Sequence, residues 1–246
     1  MIHIEKNFSA PEVVAYKKEL KENQMDKDSL SDETIHPTLM GPDVYDVVKS
    51  FPTFQGLKRR MFAEQGGICC YCGCRLEYPT HPQHIIEHVF PKEKDRTLAG
   101  EYENLLLSCK PTAEEERNRM AAPKKVRKNF FHCDKAKGSK VISITPLQQN
   151  CQDFFVYDEF GGIDGIDGID ETSKDIVKKI LNLDCKWLHD RREAAIEGAI
   201  YDEDGNILPD EELRQRLSTV MNTDEDGKHT EFCFVIQKVI EKLLSK

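Results

Sequence analysis

A chain of 246 residues is long enough for one large or two small domains with cores of their own. Charged residues make up 32% and hydrophobic ones 39%, which fits a soluble, helix-rich protein, and no apolar run approaches the roughly 20 residues of a membrane span. A formal net charge of −9 argues against a general nucleic-acid coat protein, which needs a positive face.

The opening residues, Met1 to Lys6, lack the charged-then-apolar pattern of a secretion signal, so a reducing cytoplasm is expected. The nine cysteines are then thiols or metal ligands rather than a disulfide framework. Pro11 to Leu20 predicts a short helix capped by Ser9, and Asp28 to Pro42, with His36-Pro37 and Gly41-Pro42, reads as a linker or loop. Leu57, Met61 and Phe62 place a helix over 54–65, ended by Gly66-Gly67. Ile85-Ile86 predicts a short strand ending at Glu87-His88. Glu101 to Ser108 reads as a short helix or turn, and Lys110 to Phe130 as a long charged excursion. Val141–Ile144 and Phe154–Tyr157 look like short strands, and helices are expected at 172–182, 185–199, 209–220 and 229–244. The fold class expected is α+β, mostly helical. The Ile-Asp repeats over 163–170 do not match the EF-hand spacing and are read as an extended hairpin or loop rather than a calcium site.

Charge is unevenly spread. Lys110 to Lys140 holds ten Lys/Arg against four Asp/Glu, whereas Asp158 to Glu231 holds nine against 21. Phosphate would be met locally, on the basic island.

That island adjoins the most informative constellation. Cys69 and Cys72 at C-x-x-C spacing can grip one tetrahedral Zn²⁺ from a tight turn, although Cys70 and Cys74 crowd them. Cys109 and Cys133 would form the second arm, and the plainer reading of Cys109, after an apolar run, is a buried small hydrophobe. Glu87-His88 lies between the arms: a carboxylate can hold a hard cation and an imidazole can deprotonate water. Asn104 is a turn residue or an amide that orients the His88 loop, and Asp134 would face a cation with Glu87. His81, His84 and His132 lack such neighbours and are secondary. Lys135, Lys137 and Lys140, and the run Lys124, Lys125, Arg127, Lys128, are candidate phosphate contacts. That run also resembles a nuclear localisation patch, for which short basic runs are poor support.

In this order the residues resemble the HNH endonuclease family, and more closely the PtuB-like HNH subunits of Septu and retron anti-phage systems. The resemblance is carried by Gln65–Cys72, Ile86–Lys92 and His132–Gly138, and by Ile144–Leu147, Phe154–Tyr157, Leu181–Asp184 and Arg191–Ile196 after them. It implies a zinc-stapled ββα-metal core with flanking helices. It implies His88 as general base, Glu87 and Asp134 as Mg²⁺ or Mn²⁺ ligands, Asn104 as positioner, and Cys69, Cys72, Cys109 and Cys133 on structural zinc. Glu87 stands where the family more often has Asp. The expected layout is an N-terminal arm over 1–50, a candidate partner-binding segment, a nuclease core with a basic insertion over 51–145, and an acidic helical partner-docking region over 146–246. The implied partner is an SMC/ABC-like (PtuA-like) ATPase, with a reverse transcriptase and msDNA in the retron case. The expected activity is phosphodiester hydrolysis of DNA, with tRNA or other RNA as the alternative substrate and a non-catalytic zinc adaptor as the rival class.

Overall fold

The structure, a computed structural model, describes residues 1–77, 84–166 and 172–245. Helix α1 (Pro11–Glu22) starts at a proline, which needs no amide partner in the first turn, and buries Val13, Tyr16 and Leu20 along one stripe. Its N-cap is Ala10 without a side-chain bond; Ser9, the expected cap, instead donates to Asn7 Oδ1 at 2.8 Å.

The stretch expected to be a linker is ordered. It contains α2 (Lys27–Ser31) and leads into α3 (Gly41–Val48). The cause lies far away in sequence: the Arg96 guanidinium donates to the carbonyls of Leu30 (2.9 Å), Ile35 (3.3 Å), His36 (2.8 Å) and Leu39 (3.2 Å). A chain with few apolar anchors is thus shaped around one fork of charged donors. Helix α4 (Phe54–Glu64) buries Phe54, Leu57 and Met61 and packs on α1.

After α4, a tight turn carries Cys69 to Cys74, and then an antiparallel hairpin forms from β1 (His84–His88) and β2 (Leu105–Cys109). The segment expected as helix or turn is therefore mainly strand: only Tyr102–Asn104 forms a helical turn, and Leu105–Cys109 is wholly buried. Gln65 docks the turn on the hairpin, its amide accepting from Leu107 N at 2.7 Å and donating to Leu107 O at 2.9 Å. The charged excursion holds α5 (Ala113–Ala121), opened by a reciprocal Thr112/Glu115 cap, and a 3-10 stretch over Lys124–Phe130. A short helix, α6 (Cys133–Lys137), then packs against β2.

The C-terminal part begins with a second hairpin, β3 (Phe155–Tyr157) with β4 (Ile163–Gly165). Val141–Ile144 pairs with no strand among the described residues; Ile142 and Ile144 alternate into the core, so the period was legible and the ladder is absent. The Ile-Asp run opens as β4, where Asp164 pairs with Lys178 at 3.2 Å, and residues 167–171 lie outside the described residues. Helices α7 (Thr172–Asp175), continued by a π-turn over Ile176–Ile180, α8 (Lys186–Ile200), α9 (Asp210–Thr219) and α10 (Cys233–Leu244) follow. The fold is α+β with two small antiparallel sheets.

One buried apolar cluster runs through all three expected regions. Ile4 N donates to Pro146 O at 2.8 Å, and Lys6 Nζ reaches Leu105 O at 2.6 Å over the Tyr102 ring. Burial lowers the Lys6 pKa to about 8, with Glu64 opposing. Arg96→Met, which strips a partner from five carbonyls, those named above and Asp32 O at 3.4 Å, is expected to lower stability by about 2–3 kcal/mol in urea unfolding. A midpoint equal to that of the unaltered chain would remove Arg96 from this role.

Candidate functional site

The sulfurs of Cys69, Cys72, Cys109 and Cys133 all lie within 4.8 Å of one another, and all four residues are buried. The Cys69–Cys133 and Cys72–Cys109 separations are 3.9 and 3.7 Å. A tetrahedron with Zn–S bonds of ~2.3 Å has edges of about 3.8 Å, so the set can hold a metal ion such as zinc. The turn is shaped for this: Gly73 has φ +83, and a Cβ there would meet Phe234 of α10 at 2.7 Å. Backbone N–H groups of Cys74 and Cys109 point at the Cys72 and Cys69 sulfurs, each at 3.4 Å. Cys109, which the plainer reading made a core hydrophobe, is in the cluster, and Cys70 and Cys74 are outside it.

Cys133 starts α6 at φ +53, a region that side chains avoid at a cost of about 1–3 kcal/mol. A bond from its N–H to Leu181 O at 2.8 Å holds that geometry. His132, unpartnered in the sequence reading, sits at the rim of the cluster. Its Nδ1 is 3.3 Å from Cys133 Sγ and its Nε2 is 2.8 Å from the buried Glu115 carboxylate.

The same short helix delivers the second centre. Asp134 and Lys137, three apart, share a face of α6. Lys137 is buried, its ammonium 2.6 Å from Glu87 Oε1 and 2.8 Å from the His88 carbonyl. Tyr71, inside the C-x-x-C turn, donates to the same Glu87 oxygen at 2.8 Å. Glu87 Oε2 is buried with no hydrogen-bond partner, and the Asp134 carboxyl lies within hydrogen-bonding reach of Glu87. Burial first and Asp134 next push the Glu87 pKa up to about 8, against the pull of Lys137. Two facing acceptors need a shared proton or a cation between them, and carboxylate oxygens are the donors that Mg²⁺ or Mn²⁺ takes.

His88 closes the strand beside this pair. Its Nε2 is 3.0 Å from the Ala99 carbonyl, which can only accept. Nε2 therefore carries the proton and Nδ1 the lone pair. Burial, then the Lys92 charge, lowers the His88 pKa to about 4, so the ring is neutral near pH 7. Asn104 clamps the loop that follows: Oδ1 accepts from Phe90 N at 2.7 Å, and Nδ2 donates to Phe90 O at 2.9 Å and Leu98 O at 3.0 Å. His88, Lys92, Glu93, Asp134 and Lys135 line a cleft of ≈ 300 Å³.

The basic candidates divide. Lys124, Lys125 and Lys128 are exposed, and Lys135 is exposed at the cleft. Arg127 is committed to the end of α5, donating to Met120 O at 2.8 Å and Ala122 O at 3.0 Å. Lys137, offered as a phosphate contact, is spent on Glu87. His84 is buried on β1, and His81 lies outside the described residues.

Sequence reasoning missed Tyr45. Its ring, on α3, stands edge-on to His88 with centroids 4.8 Å apart. Helix α3 comes this close because Gly41 has no side chain; a Cβ there would overlap the Lys92 carbonyl at 1.7 Å. No local signal marks this contact, since α3 lies far from the motif in sequence. Lys137 did carry one, its helical spacing from Asp134.

Compared with known proteins, the chain matches no family model and no curated protein. No helix is long and apolar enough to cross a membrane among the described residues.

The four-sulfur cluster predicts one tightly held zinc per chain by elemental analysis of purified protein. Cys109→Ser should lose the ion and lower Tm sharply. Full zinc content in that variant would take Cys109 out of the ligand set.

Proposed function

We propose that the chain is a metal-dependent phosphodiester hydrolase of the HNH type, acting as the nuclease of an anti-phage system. The single observation that carries this reading is the Glu87–Asp134 carboxyl pair, with Glu87 Oε2 unpartnered, next to a neutral His88 of fixed tautomer. Hairpin β1–β2 followed by α6 is the ββα order that such a core requires. Zinc on the four cysteines would be structural, since a closed four-sulfur set leaves no open position for water.

In this reading Glu87 and Asp134 hold the catalytic Mg²⁺ or Mn²⁺. Such an ion would supply Lewis-acid stabilisation of charge on phosphate and leaving oxygen. His88 Nδ1 takes the proton from the attacking water while the Ala99 carbonyl keeps the ring in place. Asn104 keeps the loop after His88 from swinging. Lys137 sets the Glu87 carboxylate and, through the His88 carbonyl, ties α6 to the strand end.

DNA is the substrate favoured by the family resemblance, with tRNA the alternative to be tested beside it. The same resemblance extends the reading to an SMC/ABC-like ATPase partner. Exposed Phe160, with Glu159, Glu193 and Glu197 around it, offers that partner a face in the C-terminal half.

The deciding assay measures cleavage of plasmid DNA and bulk tRNA with Mn²⁺ or Mg²⁺, using the chain alone and with its co-purified partner. His88→Ala should lose at least ~10²-fold in rate with zinc retained. Undiminished cleavage would end the base assignment in favour of another residue, and no cleavage by any form would favour the zinc adaptor. Protons compete with the cation at Glu87. Because its carboxyl is protonated below about 8, half-saturating Mn²⁺ should fall about tenfold per unit as pH rises toward 8, then level off. A flat dependence between pH 6 and 8 would remove Glu87 from the ligand set.

A further inference from the structure

Beside the His88 cleft lies a second hollow of ≈ 310 Å³, lined by Lys128, Lys135, Lys140, Lys178 and Lys179 with no acidic residue in its wall. Lys135 borders both hollows, so the two are adjacent. Three separate segments supply the lysines: the 3-10 stretch after α5, α6 with the residues just after it, and the π-turn of the acidic C-terminal half.

The hollow is fastened rather than left to loose side chains. Asn182 Nδ2 donates to Asn129 O at 2.9 Å and to Phe131 O at 2.7 Å, and Lys140 Nζ donates to Lys179 O at 3.0 Å. The π-turn closes with Leu181 N on Ile176 O at 2.8 Å. Ile176, Val177 and Leu181 are buried, so Lys178 and Lys179 both stand outward. Lys178 and Lys179 pair with Asp164 at 3.2 Å and Asp175 at 2.7 Å, both exposed contacts that water and salt weaken and a polyanion can displace.

The geometry points to a backbone-phosphate subsite here, in which the π-turn lysines, with Lys128, Lys135 and Lys140, hold the nucleic-acid strand next to the phosphate that enters the His88 cleft. This deepens the proposed nuclease reading and gives the C-terminal half a substrate-binding role. Five ammonium groups with no lining carboxylate fit phosphodiesters through charge alone, so the subsite reads no sequence.

The test is anisotropy of a labelled 20-base-pair DNA duplex, and of a labelled single strand, with full-length protein across a salt series and no added divalent cation. Lys178→Ala/Lys179→Ala is expected to weaken binding about tenfold and to flatten the salt slope by about one to two units. The control, Lys18→Ala/Lys21→Ala on exposed α1 positions, should bind like the unaltered protein. Binding by the Lys178/Lys179 variant within twofold of the unaltered chain, or an equal loss in the control, overturns the subsite. So does absence of salt-sensitive binding by the unaltered chain. Normal binding by His88→Ala without cleavage separates the two claims. If no form cleaves and the Lys178/Lys179 effect persists, the subsite stands and the nuclease reading fails.

Discussion

Four sulfurs from three distant stretches of chain meet within 4.8 Å, and the rest of the site depends on that meeting. The third of these stretches is the start of a helix only five residues long, Cys133–Lys137. A five-residue helix is not stable by itself. An ion held by all three arms would join this helix to the other two and offset the strained φ of Cys133. Asp134 and Lys137 then arrive beside Glu87 as a consequence of where Cys133 is held.

The second constraint is electrostatic. A carboxylate with no exposed surface, facing another carboxylate, is unfavourable unless opposite charge or a proton is supplied. Lys137 provides part of that charge at 2.6 Å and Tyr71 a hydrogen bond at 2.8 Å, yet one Glu87 oxygen stays unmatched. His88 shows the complementary arrangement: a carbonyl fixes its proton on one nitrogen, burial keeps the ring uncharged, and the other nitrogen keeps its lone pair.

Regions that look separate in sequence are joined around this centre. Helix α3 puts Tyr45 against His88 from the N-terminal side, and the π-turn brings Lys178 and Lys179 to the second hollow from the C-terminal side. Both approaches come from outside the hairpin and α6, and the second hollow draws part of its positive charge from a half of the chain whose overall balance is acidic.

The sequence by itself determined the local elements and the chemistry on offer. Apolar spacing marked α4, and local composition with start signals marked α1 and the C-terminal helices, because such signals are a local property. Spacing and residue type picked out the four cysteines and placed Glu87-His88 at a strand end. Tertiary structure alone decided what each group touches. It turned the segment before Cys109 into a buried strand and ordered residues 28–42 around Arg96. It also spent Lys137 and Arg127 on internal partners and put Tyr45 on His88. These outcomes rest on contacts between residues far apart in the chain, and charge or hydropathy along a sequence does not say which distant carbonyl or carboxylate a side chain will meet.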